Sequence, residues 1–148
     1  MVDDSYSPLV LTAMGDMFLT SPDGKVHLLD LMEGQFSIVS DSVEEFQKKL
    51  HDPEIVGEWF LPEVVETNIQ MGMTLASKQC YGMKIPAFLS GKLEPDNIEP
   101  IDVYVYYSVT GQLLNQVKDL PPGSKIDDIK ISSGTQNIFQ SLWRRIFK

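Results

Sequence analysis

The sequence predicts an α+β fold: an N-terminal antiparallel β-meander with packed helices, a further strand and helix, and a C-terminal amphipathic helix. Three observations carry this reading. Apolar runs separated by turn residues fill the first forty positions, a helix-capping pattern begins at Ser42, and apolar residues recur at helical spacing from Asn137 to Lys148. At 148 residues the chain can bury a substantial core without disulfides. The predicted division is one α+β domain over residues 1–134, with a helix over 135–148 docked on it.

The meander comes first. Pro22-Asp23-Gly24 lies between Met17-Phe18-Leu19 and Val26-His27-Leu28-Leu29, and Glu33-Gly34 precedes Phe36-Ser37-Ile38-Val39. Proline presets φ and glycine accepts a positive φ, so both junctions read as hairpin turns. Strands are expected near 16–20, 25–31 and 35–39, with Val26 and Leu28 on one face and His27 and Leu29 on the other.

Ser42-Val43-Glu44-Glu45 then opens a helix as a capping box, and Val43, Phe46 and Leu50 form one apolar stripe facing the meander. Lys48 and Lys49 suit the negative end of the helix dipole, and Asp52-Pro53 is read as its terminator. Pro62 starts another helix with Glu63 and Glu66 in its opening turns. Val64, Val65, Asn68, Ile69 and Gly72 are expected on its buried side, with the helix fading by about Ser77.

The segment Gln79–Glu99 links the two halves and carries Cys80, the sole cysteine. Its apolar centre, Ile85 to Leu89, reads as a core strand or loop between bends at Gly82 and Gly91. Alternation of Ile101, Val103 and Val105 with Asp102, Tyr104 and Tyr106 predicts a strand with an aliphatic and a tyrosine-lined face. Val109, Leu113 and Val117 then take helical spacing until Pro121-Pro122-Gly123. A hairpin turning at Thr110-Gly111 is the alternative, and the helix is preferred because Leu113–Leu120 does not alternate. Residues 125–132 suit a short edge strand and Ser132-Ser133-Gly134 a joint.

In the last segment Ile138, Phe139, Leu142, Trp143, Ile146 and Phe147 share one side, with Arg144, Arg145 and Lys148 elsewhere. Such a helix can dock on its own domain, on a sister subunit or on an anionic membrane. Docking on the domain is the preferred reading, homo-oligomerisation the next, and a membrane surface the least favoured.

Charge narrows the partners. The formal net charge is −9, while Lys130, Arg144, Arg145 and Lys148 give the chain from Ile129 onward +4 and leave −13 elsewhere. An acidic body repels phosphate backbones, which argues against nucleic acid and favours a basic protein partner. The acidic start, the lack of a long apolar run and the single cysteine fit a cytoplasmic protein.

Catalytic and metal-ligating residue types occur without the spacing that such sites need. Cys80 is followed by Tyr81-Gly82, which matches no protease pattern, and reads as a buried small residue. Two histidines, His27 and His51, with one cysteine make no zinc set. Ser90-Gly91-Lys92 has Pro86 where a phosphate loop needs glycine and Leu93 where it needs Ser or Thr. Gly82 and Gly91 lack dinucleotide-binding spacing, and Glu94, Asp96 and Glu99 do not form a calcium ladder. Asp96 or Asn97 is expected to cap local amides instead. No cofactor, metal or catalytic residue is assigned.

The order of certain short motifs carries a resemblance. Gly15-Asp16-x-Phe18-Leu19, Gly24-x-Val26-x-x-Leu29-Asp30 and Gly34 are followed by Ser42-Val43-Glu44-Glu45-Phe46 and Leu50. Then come Cys80-Tyr81-Gly82, Pro86, Gly91 and Glu94-Pro95-Asp96-Asn97. Over roughly residues 9–130 this resembles the C-terminal domain of bacterial type VI secretion immunity proteins that neutralise a DNase effector. The resemblance implies a non-catalytic binding protein, here without the N-terminal GAD-like domain of longer members. Its motif residues Gly15, Asp16, Gly24, Asp30, Cys80, Tyr81, Gly82, Pro86, Gly91 and Asn97 are of structural types, serving turns, strand ends and bends. A stand-alone regulatory or scaffold module is the second reading. An enzyme built on the Tyr104 and Tyr106 face is a distant third.

Overall fold

Met17, Phe18 and Leu19 are apolar in succession because both faces of their strand are covered. The computed structural model describes residues 3–117 and 119–120. Within them β1 (Ser7–Leu11), β2 (Met17–Thr20), β3 (Val26–Asp30) and β4 (Gln35–Ser40) form an antiparallel sheet in chain order. Phe18 pairs with Leu28, and Leu19 with His27, so the predicted facing of β3 holds. One face packs Phe18, Val26 and Leu28; the other packs Met17, Leu19 and Leu29. β1 was not expected. Pro8 lacks an amide proton, which suits an edge strand, and among the described residues β1 pairs with β2 alone.

The first face is covered by α1 (Val43–Lys49) and α2 (Pro53–Phe60). Ser42 accepts from the Glu45 amide at 3.1 Å, and Glu45 accepts in turn from the Asp41 amide at 3.1 Å, so the capping box forms with its return bond one residue early. Phe46, Trp59 and Phe60 surround Phe18, with ring centroids 4.9, 5.1 and 5.7 Å from it. α2 corrects the sequence reading of Asp52-Pro53 as a mere stop. The Asp52 carboxylate accepts from the Glu54 amide at 2.9 Å, and Pro53 takes the first helical position, where its missing N–H costs nothing.

α3 (Pro62–Gln70) begins at the expected proline but stops seven residues before Ser77. Gly72, at φ +83°, ends the turn. Two residues expected on the buried side, Ile69 and Gly72, are exposed, Ile69 at 56%. Gly72 lies beyond the end of the helix, and Ile69, in its last turn, falls at the margin of the side that buries Asn68.

The second sheet pairs β5 (Gln79–Met83) with β6 (Ile98–Asp102). Strand structure therefore falls on Cys80, Tyr81 and Gly82 rather than on Ile85–Leu89, where Ile85 is 53% exposed and Ala87–Leu89 make a 3-10 turn. Pro86 and the bend at Gly91 keep that apolar stretch out of the sheet.

A larger correction follows. Val103–Val117 is helical throughout, forming α4, so Tyr104 and Tyr106 do not line a strand. The Asp102 carboxylate accepts from the Val105 amide at 3.1 Å and caps the helix where alternation had suggested extended chain. Packing overrides the strand preference of Val103, Val105 and the tyrosines: Val103, Tyr106 and Tyr107 fill the space between β5 and the meander. The preference for a helix over a hairpin at Thr110-Gly111 holds. The expected 125–132 strand, the 132–134 joint and the 135–148 helix lie outside the described residues.

Candidate binding site

The centre of the molecule holds polar groups without solvent. Asp16 is 4% exposed, accepts from the Leu31 amide at 2.9 Å, and its own amide donates to Thr12 Oγ1 at 3.1 Å. Burial pushes its carboxyl up to about 7; the Leu31 amide opposes this and Asp30 adds to it. Cys80 is wholly buried, and burial, with Asp16 and Asp102 nearby, pushes its thiol up to about 12. Tyr107 donates its hydroxyl to the Gly15 carbonyl, and Tyr106 accepts from the Met83 amide at 3.3 Å. Such groups tie strands together and meet no solvent, and a thiol at that pKa is a poor nucleophile.

The other motif residues lie around this centre. Gly15, Gly24 and Gly34 have φ of +90°, +85° and +67°, and Asp30 ends β3 and caps the Glu33 amide at 2.9 Å. Tyr81 joins two layers: its amide donates to the Ala13 carbonyl at 2.7 Å and its hydroxyl to the Met73 carbonyl. A Cβ at Gly82 would press on Ile101 and Tyr106, and one at Gly91 would collide with the Ile85 carbonyl. Gly91 N donates to the Pro86 carbonyl at 2.9 Å.

Asn97 holds the loop thus formed. It accepts from the Ile85 amide and donates to the Ile85 and Lys92 carbonyls, each at 2.9 Å. A cap was expected at Asp96 or Asn97, but its reach across twelve residues was not. This staple fixes Leu93–Ile98 as a wall.

Facing that wall is α3, and between them lies a cavity of about 210 Å3 lined by Glu63, Val64, Thr67, Asn68, Leu93, Pro95 and Ile98. Residues 63, 64, 67 and 68 share one side of the helix through the 3.6-residue repeat. Asn68 is 1% exposed, and neither its Oδ1 nor its Nδ2 has a hydrogen-bond partner among the described residues. An unpaired buried amide is costly, about 1–3 kcal/mol for each group, so its place in a cavity lining makes the cavity a candidate binding feature. Leu93 is 39% exposed at the wall, and Ile69 and Met71 are exposed at the end of α3.

The lining offers a carboxylate, a hydroxyl and a carboxamide among apolar surfaces, a set suited to holding a donor-rich group. The sequence places Asn68 on the buried side of α3 and Glu63 in its first turn, and nothing in it joins them to Leu93–Ile98. The available signal was a carboxamide in an otherwise apolar stripe. Among the described residues, no three His, Cys, Asp or Glu are placed to hold a metal ion, and no helix is long and apolar enough to cross a membrane.

An α+β scaffold of this kind, with an acidic sequence and a cavity between helix and loop, suits a protein that binds another. The chain belongs to a family of type VI secretion immunity proteins, described as T6SS immunity protein Tdi1, C-terminal, whose model matches residues 40–114, just over half of the 148. That span includes α1–α3, the Cys80-Tyr81-Gly82 strand, the Asn97 staple and the whole cavity lining; Gly15, Asp16, Gly24, Asp30 and Gly34 precede it. No curated protein matches the sequence.

Proposed function

We propose that this protein neutralises a cognate effector, a nuclease, by binding it in the cytoplasm without chemistry of its own. The family match over residues 40–114 carries this reading. The net charge of −9 supports it, because a nuclease is basic where it holds DNA and opposite fields hasten encounter. The motif residues Gly15, Asp16, Gly24, Asp30, Cys80, Tyr81, Gly82, Pro86, Gly91 and Asn97 then serve the scaffold, and none acts on a substrate. Co-expression with a candidate nuclease effector, sought in the genes beside this one, tests the reading. Growth should be rescued by the wild-type chain; persistent killing at equal expression contradicts it.

The helical spacing of Ile138, Phe139, Leu142, Trp143, Ile146 and Phe147 favours a second reading, a homodimeric regulatory module with no toxin partner. It predicts a dimer by light scattering that Trp143→Asp dissociates.

A further inference from the structure

We propose that the cavity between α3 and the Leu93–Ile98 wall is an anchor pocket for one arginine side chain of the bound effector. The proposal rests on the reading that the protein binds a basic effector, and adds which group is held and where. A volume of about 210 Å3 suits a single long side chain. Val64, Leu93, Pro95 and Ile98 offer apolar surface to its methylene stem, while Glu63 offers a charged acceptor to its head and the unpaired Asn68 amide lies buried in the lining.

The guanidinium is singled out by its fan of donors. One N–H pairs with the Glu63 carboxylate, a charge-assisted bond, while another meets Asn68 Oδ1 once that buried, unpaired amide turns towards the cavity. Asn68 Nδ2 is then left to donate to a backbone carbonyl of the same partner segment. Lysine, a compact and strongly hydrated charge, serves two separated acceptors less well. Anionic groups are opposed by Glu63 and by the net charge of −9. Partly apolar pockets that take an arginine are also where binding energy concentrates in protein interfaces.

The test uses the full chain, 15N-labelled, with the Asn68 side-chain amide assigned through Asn68→Ser. Nα-acetyl-arginine N-methylamide should shift that amide saturably with a millimolar Kd. The norleucine and glutamine analogues should bind at least about fivefold more weakly, and Glu63→Gln should weaken the arginine probe by a similar factor. Thr67→Trp, at an exposed lining position, should abolish the shift while leaving the circular dichroism melt unchanged. No saturable shift, or equal shifts from norleucine or glutamine, overturns the assignment. So does an Asn68 signal that moves on Arg144→Ala or Arg145→Ala without probe, which would make the occupant a residue of the same chain. Effector protection separates the two levels. If the wild type protects and both Glu63→Gln and Thr67→Trp protect equally with unchanged affinity, the anchor fails and the proposed function stands. If the wild type neither binds nor protects, the function fails.

Discussion

Cys80 and Asp16 are the residues whose chemistry burial changes most usefully for experiment. The thiol, wholly buried and pushed up to about 12, should resist iodoacetamide in the native protein. Mass spectrometry should find alkylation only where urea has unfolded the chain; labelling at the rate of a free thiol would contradict its position. Asp16 gives a pH signature. Its folded value of about 7 lies above its ordinary 3.8, so the native state holds the proton more tightly. This contribution to stability is complete below about pH 4, declines as pH rises towards 7, and then levels off. Its slope is at most roughly 1.4 kcal/mol per pH unit. Asp16→Asn keeps an oxygen for the Leu31 amide and removes the charge. In urea titrations the variant should gain stability relative to wild type as pH rises from 4 to 7, with a constant difference above that. His27, lowered by burial, works in the opposite direction in both proteins and cancels in the comparison.

Elements differ in how local their causes are, and legibility follows that difference. The capping box at Ser42 and the turn at Pro22-Asp23-Gly24 act within four residues, and both can be read in sequence. Ser42→Ala should cost about 1 kcal/mol, seen as a lower urea midpoint at unchanged m. Asp52-Pro53 is equally local yet ambiguous, since the pair that ends one helix can also begin the next. The start of α4 is harder. Val103, Val105 and the tyrosines alternate like a strand, and only the Asp102 cap and the space beside β5 make the segment helical. The cavity was least legible, because one wall depends on Asn97 reaching back to Ile85. Asn97→Ala removes three hydrogen bonds and should destabilise by about 1–3 kcal/mol. Amide exchange at Ile85 should accelerate more than at Met17 or Leu19, where the meander is intact. Uniform acceleration would mean that the staple supports the whole fold instead.

The whole molecule is an α+β scaffold whose sheet is covered on both faces, with a net charge of −9 and a helix–loop cavity inside the span that defines its family. Membership of an immunity-protein family implies that this scaffold works by binding a partner. Isothermal titration calorimetry of the full chain against a catalytically disabled candidate nuclease effector tests that binding most directly. A saturable complex should form, with an affinity that falls as salt rises from about 0.05 to 0.5 M, as expected where opposite charges meet. No heat and no co-elution at either salt concentration, with both proteins folded, would contradict it.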